Sequence, residues 1–131
     1  MIHTSYYGKY RGNAGCCISI MHPKGFKGFS CEALYPSRSL LEWYKFKSNE
    51  LDTWYAETKD AEEFIKRRKV IELQYEQSYY EDVLSRLDPK SVAKNLDGKV
   101  LLCYEKSGRF CHRHIVAKWL INNGYKCEEL V

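Results

Sequence analysis

The fold of this chain is decided by residues 100–120, which read Val-Leu-Leu-Cys-Tyr-Glu-Lys-Ser-Gly-Arg-Phe-Cys-His-Arg-His-Ile-Val-Ala-Lys-Trp-Leu. The stretch begins with an apolar run without polar alternation, which predicts a parallel strand covered on both faces. A polar turn follows, and residues 112–123 then show the apolar spacing of an amphipathic helix. A strand, a short turn and a helix in this order indicate an α/β fold, in which ligands bind beyond the carboxyl ends of the strands.

Patterns elsewhere in the chain extend this interpretation to one α/β domain over residues 1–131. Other predicted elements are strands over 2–6, 16–21 and 125–129, a helix capped by Ser37, helical spacing over 75–87, and a helix that starts at Pro89 after Asp88. Gly124 is expected to end the last helix. Residues 47–69 are charged and sparsely apolar, and they predict no particular element. The predicted architecture has three layers, with a short, mainly parallel sheet and helices on both faces.

Composition limits the classes of protein to which the chain can belong. Its 131 residues, of which 44% are hydrophobic, suffice for one domain with a real core. We expect no membrane partner and a cytoplasmic location, because no apolar segment approaches the roughly 20 residues that span a bilayer and no signal peptide is recognisable. The six cysteines are therefore expected to be reduced thiols. The net charge of +4 permits an anionic ligand or nucleic acid without requiring either.

The C-terminal stretch resembles the signature of a known family. Leu101–Lys106, a short gap, Phe110–His114 and an apolar helix are similar to the strand, Cys-His-Arg motif and helix of the domain of unknown function 488 family. Weaker similarities lie upstream, in residues 2–6, 17–20, 35–37 and 79–89. The resemblance implies a compact Rossmann-like α/β fold and no particular activity. Residues 18–22 depart from the family pattern, because many members have an Asp-Val-Arg there, and no role of that arginine is carried over.

Cys111, His112 and Glu105 are the candidate catalytic residues. Cys111 lies at or just before the first turn of the last helix, where the helix dipole favours a thiolate nucleophile. His112 belongs to the apolar stripe of that helix and leans toward the cleft, so we assign it to acid/base chemistry. Glu105 lies near the strand end as an orienting group. The alternative for Cys111 is a structural cysteine packed under Phe110.

Arg113 is the main candidate for binding a ligand. An arginine in the first turn of a helix is disfavoured by the dipole and needs an anion. That anion is either a phosphate or carboxylate ligand, or Glu105 within the protein. The other candidate ligand-binding residues are Cys103, His114, Thr4, Ser5 and Tyr6.

Four of the residues in this stretch are zinc ligands by type, namely Cys103, Cys111, His112 and His114. Their spacing lacks the paired Cys-x-x-Cys or i, i+4 histidines of most zinc sites. The sequence therefore predicts no metal and no other cofactor.

Three classes of function remain open. The first is a small intracellular protein that binds a phosphate-bearing or nucleotide-like ligand at the Cys-His-Arg helix N-terminus, with group transfer or hydrolysis through Cys111. The second is a non-catalytic module that senses or sequesters such a ligand. The third is a nucleic-acid or protein interaction protein that uses the tyrosine-rich, basic middle of the chain. The basic run Lys66–Lys69 is typical of a solvated helix face, and its alternative interpretation is a phosphate or RNA patch.

Overall fold

The structure is a computed structural model that describes residues 1–106 and 108–130. This part of the chain forms one α/β domain, which confirms the predicted fold class. Its strands are β1 (Ile2–Tyr6), β2 (Gly15–Cys17), β3 (Phe29–Ser30), β4 (Val100–Cys103) and β5 (Cys127–Glu129). Its α-helices are α1 (Arg38–Thr58), α2 (Ala61–Asp82), α3 (Pro89–Leu96) and α4 (His112–Asn122).

The five strands form one sheet in the order β3-β2-β4-β1-β5, and every pairing is parallel. The buried strand β4 is central, as its uninterrupted apolar sequence requires. Tyr6 at the end of β1 is in register with Cys103 at the end of β4. The carboxyl ends of these two strands therefore meet at the edge of the sheet that faces the N-terminus of α4.

Local signals fix the ends of most helices. Ser37 caps α1, because its hydroxyl accepts a hydrogen bond from the amide of Leu40 at 3.1 Å. Asp88 caps α3, and Pro89 occupies its first turn. The charged segment 47–69 is helical except for the short turn that joins α1 to α2. No helix within the described residues is apolar and long enough to cross a bilayer.

The α-helices lie on one face of the sheet. Side chains from all four helices share one apolar cluster with Ile2, Cys16, Leu101 and Cys127. The registers Cys16–Leu101 and Ile2–Cys127 pair these strand residues across the sheet, and alternation along each strand puts them on the same face. Helices were expected on both faces. The opposite face is instead covered by the loops that follow β1 and β2, which contain no helix.

The handedness of the connections explains this arrangement. A crossover between parallel strands is almost always right-handed, so its direction across the sheet decides which face it covers. The connections from β1 to β2 and from β2 to β3 run in one direction. The connections from β3 to β4 and from β4 to β5 run in the other direction, and these carry the α-helices.

Two strands are shorter than predicted. The second strand was expected over residues 16–21 but ends at Cys17, because Ser19 turns its hydroxyl back to the carbonyl of Met21 at 2.6 Å. The last strand begins at Cys127 rather than at residue 125. Gly124 has a φ of +91°, which confirms its expected place just after α4.

Candidate functional site

Two cysteines meet where β4 ends and α4 begins. Cys103 is the last residue of β4, Cys111 is the N-cap residue of α4, and their sulfur atoms form a disulfide. The expectation of reduced thiols is therefore wrong for this pair, because the turn returns the chain to the strand end. The described cysteines outside the pair are free, namely Cys16, Cys17, Cys31 and Cys127.

His112 lies beside the disulfide in a fixed orientation. Its Nε2 is 2.6 Å from the carbonyl oxygen of Ile18, and because a carbonyl only accepts, Nε2 carries the proton. Its Nδ1 is then an acceptor that lies 3.8 Å from the Cys111 sulfur. Burial lowers the pKa of His112 to about 4, so the ring is neutral at neutral pH. The ring thus points toward the end of β2 in the sheet, the direction that the helical stripe predicts.

Arg113 is fully buried and its guanidinium bonds inward. Nε and Nη2 donate to the two carboxylate oxygens of Glu129 at 3.1 and 2.8 Å. Nη1 donates to the backbone carbonyl of Glu105 at 2.5 Å and to the sulfur of Cys103 at 3.1 Å. The anion that this arginine needs is therefore supplied by Glu129 on β5, and Glu105 contributes its backbone rather than its carboxylate. Arg113 fixes the ends of β4 and β5 beside the disulfide.

A cleft of about 230 Å³ opens beside the disulfide and His112. Most of its lining residues are apolar or aromatic, and Ser19, Glu105 and His112 are among the polar ones. The lining residues are Ser19, Ile20, Met21, Pro36, Leu41, Tyr44, Tyr75, Cys103, Tyr104, Glu105, Phe110, Cys111 and His112. An apolar cleft with a few convergent polar groups is the usual form of a small-molecule site.

The other predicted site residues divide between this cleft and its surroundings. Glu105 is exposed and lines the cleft, so it is available to a ligand. His114 lines instead an adjoining cleft of about 810 Å³ between α1, α2 and the turn before α4, which shares Tyr44, Glu105 and Phe110 with the first cleft. Burial lowers the pKa of His114, and its Nε2 has no hydrogen-bond partner within residues 1–106 and 108–130.

Thr4, Ser5 and Tyr6 lie at the predicted sheet edge but outside the lining of the 230 Å³ cleft. Thr4 donates to the carboxylate of Glu129 at 2.5 Å. The Arg113 guanidinium lies 5.8 Å from the centre of the Tyr6 ring. The hydroxyl of Ser5 is buried without a partner among the described residues. Thr4 and Tyr6 therefore support the buried Arg113–Glu129 pair.

A metal ion would find three ligands at this site. The ligand atoms of Cys103, Cys111 and His112 lie within 4.8 Å of one another, and no exposed residue is among them. Two thiolates, one imidazole and an open position facing a cleft are a ligand set of catalytic zinc. The bond from His112 to the Ile18 carbonyl is the outer contact that orients metal-binding imidazoles. The disulfide must be reduced before these sulfur atoms can bind a metal.

A second cysteine centre was not predicted. The sulfur of Cys17, at the end of β2, accepts a hydrogen bond from the Tyr7 hydroxyl at 2.9 Å and lies 3.8 Å from the Tyr35 hydroxyl. Burial alone would raise the pKa of this thiol, but its hydrogen bonds to Tyr7, Ser19 and Tyr35 together lower it. No sequence signal pointed to this centre, because the predicted strand 16–21 placed Cys17 inside a strand, whereas β2 ends at Cys17. Its partners come from separate loops that the sequence does not connect.

Comparison with known proteins adds nothing to this geometry, since no family model, curated protein or solved structure matches the chain. The resemblance to the domain of unknown function 488 family therefore stays a prediction that rests on the residues quoted above.

Proposed function

We propose that this protein is a small thiol–disulfide oxidoreductase whose redox centre is the Cys103–Cys111 pair. The observation that carries the proposal is the position of the pair, which joins a strand end to a helix N-terminus on the wall of an apolar cleft. A structural disulfide does not need a neighbouring cleft, an oriented imidazole and a cation on one sulfur. A thiol substrate does need a place to approach the sulfur atoms.

The reaction proceeds by two exchanges. The thiolate of a substrate attacks the sulfur of Cys111, a mixed disulfide forms, and Cys103 leaves as a thiolate. A second substrate thiolate then attacks the substrate sulfur of the mixed disulfide and releases Cys111 as a thiolate. Two substrate thiols become one substrate disulfide, the protein takes up two electrons, and the two protons pass to solvent or to the cysteines.

The charges around the pair favour its reduced form. Arg113 donates a hydrogen bond to the Cys103 sulfur, which stabilises the departing thiolate. Cys111 sits at the N-cap of α4, where the helix dipole favours negative charge. Stabilising the thiolates makes a disulfide a stronger oxidant. We therefore infer that the pair oxidises thiols rather than serving as a reductant.

A second candidate function uses the same reduced Cys111 as the nucleophile of group transfer or hydrolysis on a phosphate-bearing or nucleotide-like ligand. It is favoured by the 3.8 Å separation of His112 Nδ1 and the Cys111 sulfur, since a neutral imidazole can accept the thiol proton. Arg113 then positions the site from within, because binding an anion would require it to leave Glu129.

Trapping separates the two functions. Oxidised protein is incubated with glutathione, and free thiols and mixed disulfides are measured by mass spectrometry in the unaltered protein, in Cys103→Ser and in Cys111→Ser. The oxidoreductase proposal expects two new thiols in the unaltered protein. In Cys103→Ser the lone Cys111 thiolate should attack oxidised glutathione, form a mixed disulfide with one glutathione and release the other as a thiol. Cys31→Ser, which removes a half-buried free cysteine, is the matched control.

The result against the proposal is a disulfide that resists a large excess of glutathione together with no adduct at Cys111. Conversion of phosphate esters by reduced protein that is lost in Cys111→Ser and kept in Cys103→Ser supports the second candidate instead.

A further inference from the structure

A larger cleft lies on the face of the sheet that carries no helix, and we call it the loop cleft. It has a volume of about 470 Å³ and lies between residues 7–15 and residues 23–28. Gly15 of β2 and Leu102 of β4 lie at its base. It shares no lining residue with the 230 Å³ cleft beside the disulfide.

Aromatic rings in fixed positions form part of the loop cleft. The Tyr10 hydroxyl accepts a hydrogen bond from the amide of Ala14 at 3.1 Å. The Tyr7 hydroxyl is bonded to Cys17, and its ring meets the ring of Phe26 edge-on at 5.4 Å. These contacts hold three aromatic side chains on one cleft before any ligand arrives, which lowers the entropic cost of binding.

The charged residues that line the loop cleft are all cations. They are Arg11, Lys24 and Lys27, and no carboxylate of the described residues belongs to the lining. Arg11 is anchored through Nη1, which donates to the carbonyls of Tyr7 and Tyr10 at 3.1 and 3.3 Å. Both lysines are exposed and make no ion pair within the described residues. The lining thus concentrates three positive charges in a chain whose net charge is +4.

The close approach of the two loops depends on the absence of side chains. A Cβ atom on Gly28 would lie 2.5 Å from the carbonyl oxygen of Gly15, a backbone atom that cannot move aside. A Cβ atom on Gly15 would lie 2.7 Å from the Leu102 side chain at the base of the cleft. The shape of the loop cleft therefore depends on these two glycines.

We propose that the loop cleft binds a nucleoside phosphate, with the base against the Tyr7, Tyr10 and Phe26 rings and the phosphate against Arg11, Lys24 and Lys27. Aromatic surface and clustered cations in one concavity match the two halves of a nucleotide, and the volume falls in the range of small-molecule sites. The same chemistry is offered by a free nucleotide and by a nucleotide within a single strand. The inference does not rest on the redox proposal, because the two clefts have no lining residue in common.

The experiment is calorimetric titration with four probes: adenosine 5′-monophosphate, ribose 5-phosphate, inorganic phosphate and an oligothymidylate. Lys24→Ala/Lys27→Ala removes two cleft cations, and Phe26→Leu removes one ring. Lys66→Ala/Lys69→Ala on α2 is the matched control, since it deletes the same charge from another exposed basic segment. Circular dichroism checks that each variant is folded.

The expected result is binding of a nucleotide probe that weakens about tenfold or more in Lys24→Ala/Lys27→Ala and in Phe26→Leu but not in the control. Tighter binding of the monophosphate indicates a free nucleotide, and tighter binding of the oligothymidylate indicates a single strand. The proposal is overturned if no nucleotide probe binds, if ribose 5-phosphate or phosphate binds equally well, or if the control variant weakens binding as much. Cys103→Ser/Cys111→Ser should keep the affinity, and its loss would show that the clefts are not independent.

Discussion

Removing the Glu129 carboxylate should destabilise the protein more than almost any other single change to a polar residue. Glu129→Ala leaves the guanidinium of Arg113 without a counter-ion, although that side chain is 0% exposed. It also deletes two charge-assisted hydrogen bonds to Arg113 and the acceptor of Thr4. Breaking a buried ion pair in this way typically costs about 3–5 kcal/mol. Because Glu129 is 21% exposed, some water can replace it, and we expect a loss at the lower end, about 3 kcal/mol.

Urea unfolding of the oxidised protein, followed by circular dichroism, measures this loss. With a slope of about 1–3 kcal/mol per molar urea, the midpoint should fall by about 1–3 M. Glu128→Ala is the control, since its side chain is exposed one position earlier on the same strand and should change stability by less than about 0.5 kcal/mol. Replacing both members of the pair, as in Arg113→Met/Glu129→Met, should recover much of the loss. A loss below about 1 kcal/mol in Glu129→Ala would refute the view that this pair holds the strand ends together.

Three further predictions test other parts of the structure. The free energy of unfolding should fall by up to about 3 kcal/mol from pH 7 to pH 4, because an unfolded histidine takes up its proton near pH 6.5 whereas buried His112 does so only near pH 4. Urea unfolding at a series of pH values measures this fall, and His112→Gln should make it smaller. An unchanged dependence on pH in His112→Gln would contradict the assignment to His112. Gly28→Ala should lower the free energy of unfolding by about 1–3 kcal/mol in the same assay, because the added Cβ would contact the backbone of β2. The control Gly8→Ala should leave it nearly unchanged. Equal losses in the two variants would contradict the steric argument. Reduced protein should bind Co²⁺ with a thiolate-to-cobalt absorption band that Cys103→Ser and Cys111→Ser both remove, and a band that survives either change would place the metal elsewhere.

The sequence predicted those helices and strands whose ends depend on residues close to them in the chain. The β4 strand, the N-terminus of α4, the Ser37 cap and the Asp88-Pro89 start of α3 each depend on residues within a few positions, and the structure confirms them. The segment 47–69 gave no signal because α1 and α2 pack largely on each other. Its exposed faces carry charges at helical spacing, such as the Glu63–Arg67 pair, in place of an apolar stripe.

Long-range pairings were not predictable from the chain alone. The place of Arg113 near the strand end followed from helical geometry. Its partner Glu129 lies on the edge strand β5, which pairs with β1 on the side away from β4. Cys103 and Cys111 are eight residues apart in sequence, and their sulfur atoms meet only because the chain returns to the end of β4. The Cys17 centre depends on residues from two loops, and loop residues produce no periodic sequence pattern from which the centre could be predicted.

Because the α-helices lie on one face of the sheet, the residues that stabilise the fold and the residues of the loop cleft lie on opposite faces. The apolar cluster between the helices and one sheet face supplies the stability, whereas the opposite face presents loops whose exposed positions make few core contacts. Substitutions at Lys24 or Lys27 can therefore alter what the loop cleft recognises at little thermodynamic cost, provided that Gly15 and Gly28 are kept. For protein engineering, this makes the loop face a natural place to build libraries, and it leaves evolution free to change ligand preference while the helical layer stays constant.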